Sequence, residues 1–127
     1  MIINLGYYKR KPGLTHAEFS EHWRDVHGPL IRRIPNIDRY LLRYVQHHLT
    51  PDPTQPIPPG MDYDGFSEAW FPSLEARAEL FALPFFQAEV IADERRFLDM
   101  DATRWSVIDR QETMIAGQPG LTARQYA

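Results

Sequence analysis

Thr15-His16-Ala17-Glu18-Phe19-Ser20-Glu21-His22-Trp23-Arg24-Asp25-Val26-His27-Gly28-Pro29-Leu30-Ile31 is the stretch that decides the fold. Thr15 and Glu18 have the spacing of a capping box, in which the threonine hydroxyl accepts from the third helical amide and the glutamate reaches back to the cap. A helix starts here. Its apolar stripe is Phe19, Trp23, Val26, Leu30, Ile31 and Ile34, spaced as one buried face demands. Glu18, Glu21, Asp25 and Arg32 lie on the other side. Pro29 removes one backbone bond and presses on the carbonyl four residues earlier, so a kink or break is expected near His27-Gly28-Pro29.

Working outward, Ile2 to Tyr8 is rich in β-branched and aromatic residues and is followed by Lys9-Arg10-Lys11-Pro12-Gly13, a strand and then a turn. After Pro35-Asn36 the helix ends, and Ile37 to Leu49 reads as a long strand with Tyr40, Leu42 and Tyr44 alternating against Leu41, Arg43 and Val45. Thr50 to Gly60 holds Pro51, Pro53, Pro56, Pro58 and Pro59 and reads as a semi-rigid loop, either a lid or a partner contact. Asp62 to Phe71 gives a third strand. Ser73 caps a helix to about Leu83, and Pro84 suits the first turn of another, which carries Phe86, Val90 and Phe97 on one face. A fourth strand is expected from Asp101 to about Ile115.

The order is β-α-β-β-α-α-β. It specifies an α+β, ferredoxin-like domain with a four-stranded antiparallel sheet and helices on one face. The domain is placed at residues 1–116, with 117–127 a tail that is mobile or draped over a partner. Apolar residues occur in both alternating sets of the second and third strands, so the face without helices needs cover, and a second copy of the chain supplies it economically.

The totals narrow the function classes. A chain of 127 residues, 43% hydrophobic and 24% charged, is one ordinary globular domain, and its 13% aromatic content suggests rings around a core or pocket. The net charge of −3, with both signs interleaved, offers no basic stripe for nucleic acid. The absence of cysteine excludes disulfides, thiolate zinc and a cysteine nucleophile, and fits a reducing compartment. Met1-Ile2-Ile3-Asn4-Leu5 lacks the form of a secretory leader, and no apolar run approaches the roughly 20 residues of a membrane span. A cytoplasmic location with no membrane partner is expected.

Lys9-Arg10-Lys11-Pro12, Leu14 to Phe19, Trp23 and His27-Gly28-Pro29-Leu30 together resemble the opening of the EthD family. Tyr40 after Pro35, Asp64-Gly65-Phe66-Ser67-Glu68-Ala69-Trp70-Phe71 and Arg95-Arg96-Phe97-Leu98-Asp99 extend the resemblance over roughly residues 1–115. It implies a dimeric α/β-barrel with a cleft between sheet and helices in each monomer. The family takes its name from an accessory protein of ethyl tert-butyl ether degradation. Its relatives include lactone isomerases, polyketide dehydratases and, in the wider superfamily, cofactor-free monooxygenases. Fold does not choose among these activities.

His27 falls within the apolar stripe of its helix. On its residues alone it is either a core histidine bonded to a backbone carbonyl or a ring lining a cavity. The resemblance implies the cleft, where the matching histidine of the isomerases is an acid or base. Glu68 lies between Phe66 and Trp70 on one face of its strand, where flanking rings should raise its pKa, unless it pairs with an arginine such as Arg43. Gly65, Ser67 and Ala69 form the opposite, small-residue row, which either floors a pocket or admits a closely packed helix. Related methylmuconolactone isomerases carry a cysteine at the place of Ala69, so this chain departs from that mechanism.

Tyr40 and Tyr44 are candidate phenols for a ligand, or structural rings. The expected catalytic set is His27 with Glu68 or Tyr40, with Trp23, Tyr44, Ala69 and Trp70 contacting substrate. Asp93 either orients a histidine or makes a salt bridge at a helix edge. His47 and His48 point to opposite faces of a strand and cannot chelate together, so no metal is expected, and no cofactor. The expected function is cofactor-independent acid–base chemistry, an isomerisation, dehydration or oxidation, on a hydrophobic cyclic, aromatic or ether-derived metabolite. The alternative is a non-catalytic ligand-binding or accessory protein for an oxygenase system.

Overall fold

The computed structural model describes residues 1–119. The far end of the tail therefore lies outside the described residues. Four strands, β1 (Ile2–Tyr8), β2 (Arg43–His48), β3 (Gly65–Phe71) and β4 (Arg104–Val107), form one antiparallel sheet in the order β2-β3-β1-β4. This is the ferredoxin-like α+β arrangement.

The capping box forms as its spacing demands. The Thr15 hydroxyl accepts from the Glu18 amide at 3.1 Å, and the Thr15 amide donates to the Glu18 carboxylate at 2.9 Å. Helix α1 (His16–His22) continues into a π-helical turn, Trp23–His27, and then α2 (Gly28–Arg32). The Gly28 amide reaches back five residues to the Trp23 carbonyl. Pro29 is thus absorbed by one widened turn while the backbone stays helical, and the widened turn positions His27.

The second expected strand begins late. Asn36 adopts a left-handed conformation (φ 57°), which asparagine tolerates better than most residues, and this initiates a short helix, α3 (Ile37–Tyr40). Only Arg43–His48 of the expected Ile37–Leu49 strand is β2. Tyr40 is consequently off the sheet.

The other strand limits follow from pairing. Tyr8, the last residue of β1, pairs with Gly65, so β3 starts there, and the preceding Asp64 is held instead by the Arg10 backbone and side chain and by His16. At the other end Val107 pairs with Asn4 and the Ile108 amide reaches Ile3, after which β1 runs out. The fourth strand therefore stops far short of Ile115.

Ser73 caps α4 (Leu74–Ala82) by accepting from the Ala76 amide. Pro84 opens a further helical run through a second π-helical segment, Phe86–Val90, into α5 (Ile91–Phe97). Leu30, Ile31, Ile34, Tyr40, Phe71, Leu80 and Val90 form one buried cluster; Tyr8, Phe19, Trp23, Phe97 and Leu98 form another.

Register assigns the two faces. Tyr44 pairs with Ala69, and Asn4 pairs with Ala69 from the other side, so Asn4, Tyr44 and Ala69 share the helix-covered face with Gly65 and Ser67. Gly65 is needed there, because a Cβ would sit 2.6 Å from the Trp23 ring. The opposite face carries Leu5, Tyr7, Val45, His47, Phe66, Glu68 and Trp70. Among the described residues no helix is long and apolar enough to cross a membrane.

Candidate active site

A cavity of about 60 Å³ lies between the helices and the sheet. Its polar groups are His27, Glu94, Tyr8 and Tyr44; Ala69 and Phe71 of β3 and Trp105 of β4 are part of its wall. His27 is 6% exposed and Asp93 is 1% exposed. Asp93 Oδ2 lies 2.8 Å from His27 Nδ1, and Asp93 Oδ1 lies 2.9 Å from His22 Nε2. Arg96 also reaches Oδ1, at 3.3 Å.

Burial alone would raise the Asp93 pKa, but the hydrogen bonds from His27 and His22 outweigh it and hold it down at about 2. An ionised carboxylate only accepts, so His27 must donate from Nδ1, leaving Nε2 as the nitrogen available to a ligand. This is an oriented base.

Glu94 follows Asp93 directly and behaves in the opposite way. Burial, and then the charge of Asp93, push its carboxyl up to about 7, so near neutral pH it can hold and release a proton. Burial also raises Tyr8 well above the ordinary phenol value and Tyr44 to about 12, which keeps both phenols as hydrogen-bond donors. The Tyr8 hydroxyl accepts from Ser67 at 3.0 Å. An oriented base, a poised carboxylic acid and two phenols around an apolar wall can move protons on a bound ring.

Of the residues singled out from sequence, His27, Tyr44 and Ala69 come together in this lining. The others do not. Tyr40 packs into the core against Leu30, Ile31 and Phe71, because α3 carries it away from the sheet. Trp23 is fully buried beside Tyr8 and Phe19 and packs on Gly65; it supports the site from behind and is no wall of it.

Glu68 and Trp70 lie on the opposite face of the sheet, so neither shares a cleft with His27. Nor is the Glu68 pKa raised. The hydrogen bond to His47 at 2.6 Å, helped by Trp70 Nε1 at 3.3 Å, lowers it. The Pro-rich loop covers a different hollow, beside Lys9, Arg10 and His16, and contributes nothing to the His27 lining.

Glu94, Tyr8 and Trp105 were absent from the expected site, and Asp93 stood outside the expected catalytic set, with orientation of a histidine as one of its two readings. The signal for the two carboxyls was present in the sequence. Asp93 stands three residues after Val90 and four before Phe97, and Glu94 four after and three before, so both fall on the buried stripe of α5. Two acids on one apolar stripe and a histidine on another call for each other. Arg96 does give Asp93 a helix-edge contact, but the histidines are its nearer partners.

A family model described as "EthD domain" matches residues 11–101. The chain belongs to the EthD family. Among EthD-like structures, it is similar to an EthD-family protein of Bacillus halodurans c-125, with TM-score 0.64, 18% identity, 87% of this chain and 100% of that one. SnoaB of Streptomyces nogalater, a cofactor-independent oxygenase, superposes with TM-score 0.57 and 12% identity over 89% of this chain and 95% of its own. A curated relative, the decarboxylase claH of Passalora fulva, is 25% identical over 121 residues, covering 90% of this chain and 77% of its own. The proteins this chain is similar to thus include one described as a decarboxylase and one described as a cofactor-independent oxygenase.

Proposed function

We propose that the chain is a cofactor-independent acid–base enzyme for a hydrophobic cyclic or aromatic metabolite, with His27 as base and Glu94 as acid. The observation that carries this reading is the His27–Asp93 contact of 2.8 Å, which leaves Nε2 without a hydrogen-bond partner among the described residues, on a ring that shares a cavity with Glu94. Tyr8 and Tyr44 orient a carbonyl or hydroxyl of the ring, and Ala69 and Phe71 bound its apolar part.

The volume limits how the ligand sits. A cavity of about 60 Å³ is smaller than the roughly 150 Å³ that holds a benzene-sized ligand. A ring substrate must extend past Ile31, Leu41 and Tyr44, which the cavity shares with an open groove of about 690 Å³ carrying Arg32 and Arg43. An anionic substituent is the natural occupant of that groove.

Loss of carbon dioxide from a ring acid is one proton-transfer reaction that these groups can serve. That reaction needs a proton delivered to the carbon that loses its carboxylate, and Glu94 holds one near neutral pH. The decarboxylase relative accords with it. Isomerisation or dehydration would use the same groups.

We assign the outer face of the sheet, where Leu5, Tyr7, Val45, Phe66 and Trp70 accompany the His47–Glu68 pair, to a second copy of the chain.

The test is a thermal-shift screen of the wild type and His27→Gln against phenols, quinones, lactones and aromatic hydroxy acids, with turnover measured on each hit. The enzyme reading expects a stabilising ligand that the wild type converts and the variant binds without converting. Stabilisation with no turnover by the wild type would instead mark a carrier.

A further inference from the structure

We propose that His22 is a positioning residue that sets the basicity of His27 through Asp93, the carboxylate they share. The inference rests on the acid–base reading of His27. His22 Nε2 and His27 Nδ1 meet different oxygens of one carboxylate, at 2.9 and 2.8 Å, and that carboxylate is buried at 1% exposure. Both rings must donate, because an ionised carboxylate has no proton to give.

The two histidines differ in what lies beyond them. His27 opens on the cavity with Glu94, Tyr8 and Tyr44. The His22 side chain is 25% exposed and opens on a separate surface hollow with Glu18, Glu21, Asp25 and Arg96. The His22 ring stacks on Phe97 at 4.8 Å, and the His27 ring touches the same Phe97 at 5.0 Å, so the two are fixed relative to each other.

The coupling is electrostatic and has a definite sign. A proton on His22 adds a cation to Asp93, beside Arg96, and weakens the hold of Asp93 on a second cation at His27. With His22 neutral, Asp93 gives its charge more fully to an imidazolium at His27. The charge on His22 at the surface hollow is thereby coupled to the protonation of His27 in the cavity. The charged groups that line the hollow with His22 are Glu18, Glu21, Asp25 and Arg96. On the cavity side, His27 shares its lining with Glu94, Tyr8 and Tyr44.

The experiment is a ¹⁵N-NMR titration of the His27 ring in ligand-free protein, for the wild type, His22→Gln and His22→Lys. Glutamine keeps a donor without a titrating charge, and lysine keeps a permanent cation. The expected result is a His27 midpoint that moves up by about half a pH unit or more in His22→Gln and down in His22→Lys. A merely structural His22 would lower thermal stability in both variants without moving the midpoint in opposite directions. Midpoints unchanged in both variants, or shifted the same way, would overturn the proposal. The readout needs no turnover, so failure of the enzyme reading would show separately, as absence of conversion by a wild type whose histidines remain coupled.

Discussion

Asp93 and Glu94 are adjacent on α5, yet their carboxyls are driven apart, to about 2 and about 7. Asp93 turns toward two histidines, whereas Glu94 meets the desolvating wall of the cavity and the charge of its neighbour. Titratable groups whose surroundings separate them in this way mark acid and base assignments. Here the depressed carboxylate orients His27, and the raised one carries a proton.

Asp93→Asn replaces an acceptor-only group by an amide that can satisfy both rings only if one of them changes tautomer. Stability is expected to fall by about 1–3 kcal/mol, read by urea denaturation. Turnover of an identified substrate is expected to fall by about 10²–10⁴-fold. A variant with wild-type turnover would remove Asp93 from the mechanism.

Glu94 and Asp93 give stability opposite slopes with pH. The folded pKa of Glu94 lies above its ordinary value of 4.5, so the folded state binds the extra proton; its contribution is full below about 4.5 and is lost as pH rises through about 7. That loss is about 3 kcal/mol at most. For Asp93 the folded pKa lies below 3.8, so its contribution is full above that value and is lost as pH falls through about 2. Denaturation midpoints measured from pH 4 to 8 should therefore decline toward the alkaline end, and Glu94→Gln should flatten the decline. A slope unchanged in the variant would mean that Glu94 is not the group responsible.

Gly65→Ala is expected to destabilise the fold by about 1–3 kcal/mol, because the added methyl meets the fully buried Trp23 ring at 2.6 Å. Chemical denaturation gives the cost directly. Near-UV circular dichroism should report displacement of the indole, and an unaltered spectrum with full stability would contradict the packing described.

Phe66→Glu places a charge on the outer sheet face, beside Tyr7 and His47. Light scattering should give twice the chain mass for the wild type and the single chain mass for the variant. A monomeric wild type would leave that face without the proposed partner.

Much of the fold was legible because local chemistry decided it. The Thr15–Glu18 box, the Ser73 cap, Pro84 at a first turn and the alternation of β3 each have one structural solution. Tyr40 was misplaced because nothing in Ile37–Leu42 distinguishes a strand from one helical turn, and the left-handed Asn36 that decides it is a single dihedral. Glu68 and Trp70 were misplaced for a different reason. Alternation separates Phe66, Glu68 and Trp70 from Gly65, Ser67 and Ala69, but only packing against Trp23 says which row faces the helices. His27 was legible as a polar residue on an apolar stripe. Asp93 and Glu94 obeyed the same rule on α5 and needed the long-range approach of two helices to be paired with it.

The most direct test of the central claim is the tautomer of His27, read from ¹⁵N chemical shifts in labelled protein at a pH where the ring is neutral. The proton is expected on Nδ1, facing Asp93, with a bare Nε2 whose resonance moves when a cavity ligand is added. A proton on Nε2 in the neutral ring, or an Nε2 signal indifferent to every ligand that stabilises the protein, would contradict His27 as the base of this cavity.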